Sequence, residues 1–276
     1  MIQTLHLFPS LEKQLIDLLK GLSPADWQLQ ASSSWTVKDV AAHLLDGNIR
    51  GLSMSRDAYF GESPAQVNNY QDLVNLLNKL NADWVHAMKR VSPAVLVELL
   101  ALTGEAYYQH LCSLDLHAPA LFAVAWAGQE QSPNWFHIAR EYTEKWHHQQ
   151  QIRDALGKNQ IGEGIMKTEF FKPLMTTFFQ ALPYRYQEVK CNEGEAIHIK
   201  IKTEIGGEWS LLRRENKWQV LEENSGQRVA QIEIDPDTVW KLFCNGVSPD
   251  EARKKSLIAG NEEILRPFFH TLGIMA

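Results

Sequence analysis

Five side chains suited to acid–base or metal chemistry, His137, Glu141, Glu144, His148 and Gln151, recur at intervals of three or four residues. Residues so spaced share one face of a helix. Two imidazoles and two carboxylates on one line offer nitrogen and oxygen donors to a divalent cation, or a set of proton donors and acceptors to a reaction. Glu144 and His148 stand one turn apart, so their Cβ atoms lie about 6 Å from each other and both side chains can reach one ion. His147 points about 100° away and does not share that face.

The segment that must present this line runs from Pro133 to Leu156. Pro133 suits a first helical position, Ser132 an N-cap and Gly157 a C-terminal stop. Ile138, Tyr142, Trp146 and Ile152 supply an apolar surface beside the polar line, which therefore borders a core. A third ligand has to come from another helix. Thr36 and Asp39 have capping-box spacing, and the helix they start carries His43 in a small, apolar stretch and is expected to run as far as Tyr59. A lone histidine there is ordinarily a hydrogen-bonded core residue; a facing helix with a Glu-x3-His pair makes it the best third ligand.

His43, Glu144 and His148 would leave one position open for water or substrate, as catalytic zinc sites do, and nickel, iron or manganese can use the same donors. A fourth protein ligand such as His137 or Glu141 would close the site and make it structural. A metal-free polar network is the remaining alternative. Asp46 stands where it can orient a ligand or face solvent, and Arg140 and Arg153 can pair with an anionic substrate or be solvated.

The rest of the chain predicts an α+β protein: a helical bundle over residues 1–187 and a small α+β domain over 188–276. Helical patterns cover Ser10 to Leu22, Tyr70 to Val91, Pro93 to Leu116 and Lys167 to Leu182, the last interrupted by Pro173. The first, short helix reads as an adjunct to four longer ones. Period-two alternation then marks strands at 196–202 and 229–234, and between them, after a Gly206-Gly207 turn, 208–213 and 218–222 read as further strands. Helical segments return at 237–244, 249–256 and 261–272.

A net charge of −6 and the lack of a Lys/Arg cluster argue against nucleic-acid binding, which needs a basic face. No apolar run reaches the length of about 18 residues of a membrane span, and the first residues lack signal-peptide order, so no membrane span and a cytoplasmic location are expected. Cys112, Cys191 and Cys244 are odd in number and far apart, which suits neither a disulfide framework nor a cysteine zinc site; each reads as a small apolar filler. There is no G-x-S-x-G, G-x-G-x-x-G or P-loop fingerprint. Exposed apolar faces on a bundle would also allow a homodimer.

The stretch from Trp35 to Leu44 (WTVKDVAAHL) resembles the second-helix signature of the DinB-like, maleylpyruvate isomerase N-terminal domain superfamily. Ala125-Trp126-Ala127-Gly128, then Arg140, Glu144, Trp146, His148 and Gln150, are similar to its later motif. The resemblance covers about residues 8 to 185. It implies a four-helix bundle, a divalent metal (zinc, or nickel) on His43, Glu144 and His148, and chemistry with a low-molecular-weight thiol of the mycothiol or bacillithiol type, acting as an isomerase or S-transferase on a small-molecule electrophile. The chain departs from the family at Gln149, commonly glycine, and Gln151, commonly aspartate. Residues 237–243 and 259–261 resemble a sterol-carrier domain, which implies the alternative of a noncatalytic, metal-stabilised bundle joined to a hydrophobic-ligand carrier.

Overall fold

The computed structural model describes residues 1–61 and 69–275. Five helices fill the N-terminal part: α1 (Phe8–Lys20), α2 (Val37–Gly51), α3 (Tyr70–Met88), α4 (Pro93–Ser113) and α5 (Asn134–Ala155). The Thr36–Asp39 capping box forms as its spacing predicts, each side chain meeting the other residue's backbone N–H. α1 is no adjunct. It packs on α4 and α5, whereas α3 packs chiefly on α2, which in turn lies against α4 and α5. A buried cluster of Leu15, Leu19, Val40, Ala41, Leu44, Leu96, Leu100 and Ile152 joins α1, α2, α4 and α5.

Two helix ends differ from their patterns. α5 starts one residue late, with Pro133 extended outside it as N-cap. The Ser132 hydroxyl is taken elsewhere, accepting from Val124 N at 2.8 Å and donating to Gln129 Oε1 at 2.7 Å. Pairing of Pro119 with Pro133 holds this stretch extended. α2 passes into a π-helical turn at Leu52–Arg56 and stops short of Tyr59. Here the Tyr107 ring lies on Gly51, where an added Cβ would sit 2.4 Å from it.

The C-terminal part contains a five-stranded mixed sheet in the order β3-β2-β1-β4-β5. Its strands are β1 (Glu195–Ile201), β2 (Gly207–Arg214), β3 (Lys217–Leu221), β4 (Gln227–Ile234) and β5 (Leu257–Gly260), with β1 and β4 parallel. β5 falls between two helical patterns. It is a four-residue edge strand, mostly exposed, without alternation to announce it.

One apolar cluster runs through both parts. α6 (Thr168–Phe178) stands between them and continues through Pro173. On one side Phe171 meets Trp146 of α5 edge to face at 5.9 Å. Just past its end, Phe179 meets Trp209 of β2 at 5.2 Å. Trp146 also touches Trp240 of α8 (Pro236–Phe243), at 5.7 Å, and Lys241 of that helix pairs with Asp154 of α5 at 2.8 Å. The segments α7 (Leu182–Arg185), α9 (Pro249–Lys255) and α10 (Glu262–Phe269) complete the chain.

Trp146 is fully buried where these contacts meet. Trp146→Ala is therefore expected to lower the unfolding free energy by about 3–5 kcal/mol, read from the urea midpoint. A loss under about 1 kcal/mol would show that the packing around it is not shared between the two parts.

Candidate metal centre

α5 is polar in composition yet buried on almost every side. Its polar side chains must therefore find partners inside the protein. Towards α1 and α2, Lys145 donates to Asn48 Oδ1 at 2.6 Å and to Glu12 Oε2 at 3.3 Å. Gln149, with its amide turned to suit its neighbours, donates to Leu11 O and accepts from Leu15 N and Arg153, each at 3.1 Å. Arg153 is buried against Gly164, so it is neither solvated nor set out to meet an anion; burial lowers its pKa.

On the face towards α2, His43, Glu144 and His148 converge. One ligand atom from each lies within 4.8 Å of the others. His148 Nδ1 donates to Gln151 Oε1 at 2.9 Å, which turns Nε2 towards Glu144 Oε2 at 3.5 Å. Tetrahedral bonds of about 2.0–2.1 Å place neighbouring donors about 3.3–3.5 Å apart, so this pair already stands at a metal-binding separation. His43 Nδ1 is buried and without a hydrogen-bond partner. A donor set of two imidazoles and a carboxylate with an orphaned buried nitrogen fits a divalent cation.

The electrostatics agree with the geometry. Burial pushes His43 well below its usual pKa, and His148 beside it adds to the shift, so the ring is neutral and able to ligate. Burial alone would raise the Glu144 carboxyl, but its approach to His148 holds it below the usual carboxylate range, so it is ionised and able to ligate. His147, lowered to about 4 by burial and by His148, donates to Thr143 O at 2.9 Å and stays outside the group.

Other side chains of the polar line are engaged elsewhere. Arg140 donates to His137 Nδ1 at 2.7 Å and to Glu141 Oε1 at 3.0 Å. This engages His137, Glu141 and Arg140 with one another, and neither His137 nor Glu141 falls within the group of three. Asp46 pairs with Arg50 at 2.9 Å rather than orienting His43. Trp35, a residue of the helix-start motif with no chemistry read into it, lies over the two histidines with ring centroids 4.9 Å from His43 and 6.1 Å from His148. Of the cysteines only Cys244 is a buried filler; Cys112 is exposed and Cys191 donates to Glu195 at 3.1 Å.

The family model described as the mycothiol maleylpyruvate isomerase N-terminal domain matches residues 8–153, which include all three candidate ligands. The chain belongs to this family. The crystal structure of a mycothiol-dependent maleylpyruvate isomerase superposes on it with a TM-score of 0.51, over 88% of each chain at 12% identity. A histidine-to-alanine mutant of that enzyme gives 0.49 over 86% of each, also at 12% identity. At such identity the likeness establishes the fold alone. It extends into the C-terminal sheet, which the maleylpyruvate isomerase fold thus accounts for; the sterol-carrier likeness gains no support from these matches. Among curated protein sequences none is significantly similar.

His137 gives the protein a pH dependence. Burial, then the charge of Arg140, lowers its pKa to about 4. In the unfolded chain an imidazole titrates near 6.5, so between about pH 6.5 and 4 the unfolded state binds the extra proton and stability falls as pH falls. Each such histidine contributes up to about 1.4 kcal/mol per pH unit in that window and nothing above it. His137→Gln is expected to flatten the decline in urea-unfolding free energy between pH 7 and 5. An unchanged slope would show that His137 is not held neutral in the fold.

Proposed function

We propose that this chain is a metal-dependent enzyme of the thiol-dependent isomerase or S-transferase type, acting on a small electrophilic molecule. The observation that carries the reading is the meeting of His43, Glu144 and His148 from two helices within 4.8 Å, in a chain of the maleylpyruvate isomerase family. These three residues would hold a divalent ion, with zinc the best fit to the donor set and nickel compatible with it. Such an ion acidifies a thiol and keeps it as thiolate, the nucleophilic form.

The protein's own groups prepare that chemistry. Gln151 fixes the tautomer and ring orientation of His148. Glu144 would bring the negative charge that offsets the cation, with 34% of its side chain open to solvent. Gln149, the other departure from the family pattern, faces α1 and leaves the site unaltered. Mycothiol or bacillithiol would supply the sulfur. Residues 1–187 carry the reactive groups on this reading, and 188–276 hold α5 in place through Trp240 and Lys241.

Protein purified without a metal-binding tag is expected to hold about one equivalent of metal per chain, falling below about a tenth in His148→Ala. Elemental analysis reads both values. No metal after incubation with zinc, nickel or manganese would overturn the metal reading. With metal bound, turnover of maleylpyruvate that requires added mycothiol would support the isomerase assignment; turnover independent of thiol would refute it.

A further inference from the structure

A ligating histidine is ordinarily steered by a hydrogen bond from its second ring nitrogen, because its χ2 torsion is soft and does not fix the ring plane. His148 has that bond, to Gln151. His43 does not: no hydrogen bond reaches either ring nitrogen among the described residues, so whichever nitrogen takes the ion, the other has no steering bond. The ring is instead held between aromatic surfaces. The Trp35 indole lies 4.9 Å away at an interplanar angle of 37°, and the His148 ring meets it edge to face at 4.6 Å and 71°.

Trp35 is itself firmly placed. Its carbonyl accepts from Ala31 N at 2.9 Å and from Ser32 N at 3.1 Å, and its own N–H donates to Ser32 Oγ at 3.2 Å. A bridge between Gln30 and Thr36 closes the loop, and the capping box follows at once. The fixed start of α2 thus fixes the indole, and the indole lies against the ring of a residue about two turns further on.

We propose that Trp35 is the positioning residue for His43: the tilted indole–imidazole contact takes the place of the missing hydrogen bond and holds the ring plane so that its nitrogen meets Glu144 and His148. The inference rests on the metal reading above. The same indole lies 6.1 Å from His148 at 39°, so one plate sets the disposition of both imidazoles.

Cobalt(II) titration of the full chain, followed by the visible absorption of the bound ion, tests this in Trp35→Ala, Trp35→Phe and Trp35→Leu. Trp35→Ala is expected to bind cobalt at least about tenfold more weakly with an altered spectrum, and Trp35→Phe to stay within about threefold of the native chain. Leucine, which supplies apolar bulk without a ring face, should not restore binding. Native affinity in Trp35→Ala, or restoration by leucine equal to that by phenylalanine, overturns the proposal. A metal-free readout runs beside it: diethylpyrocarbonate should modify His43 faster in Trp35→Ala than in the native or Trp35→Phe protein, with unchanged far-UV circular dichroism. A native chain that binds no cobalt refutes the metal reading alone, and the modification rates then decide whether Trp35 holds the ring; equal rates in all variants overturn it.

Discussion

Burying a polar helix is the constraint on which the rest of the structure depends. α5 carries Lys145, His147, His148, Gln149, Gln150 and Arg153 into the interior. Each polar group so placed costs free energy unless the protein supplies a partner. Much of the surrounding fold supplies them: α1 offers Glu12 and the Leu11 carbonyl, α2 offers Asn48, and the Phe170 carbonyl accepts from the Tyr142 hydroxyl at 2.7 Å. His43 Nδ1 is left without a partner on the one face where a carboxylate and a second imidazole also converge. A cation would complete the pattern there, as the Lys145 ammonium does between Asn48 and Glu12.

The opposite end of the molecule follows from the same constraint. A helix polar on one side and aromatic on the other needs an apolar cover, and α6 with α8 provides it through Phe171 and Trp240. α6 shares its own surface with the sheet, where the Trp209 indole donates to Thr176 Oγ1 at 3.2 Å. The sheet contributes none of the three candidate ligands.

What the sequence shows is what depends on local geometry. The Glu144–His148 pair follows from helical spacing, the Thr36–Asp39 capping box from its own interval, and β1 and β4 from alternation. His43 needed a facing helix and a family motif to stand out from a core histidine. Features set by tertiary contacts are silent in the sequence. Ser132 has the look of a cap, but its hydroxyl closes the loop before α5. Arg153 looks solvent-bound until Gly164 folds over it, and Gln149 and Gln151 separate into a packing residue and a ligand partner only once the rotation of α5 is known. Trp35 lies outside any helical stripe, so periodicity gives it no role.

The three candidate ligands come from opposite ends of the helical part, His43 early in the chain and Glu144 with His148 late. Contacts between such distant positions form slowly, after the intervening loops have been closed. On a ribosome, α2 would emerge and wait with an incomplete site while α3 and α4 were made. An ion that recognises the finished triad has little to hold in the nascent chain, so loading would come as a late step of assembly, and the loaded fraction would report how much of the population has reached its final topology.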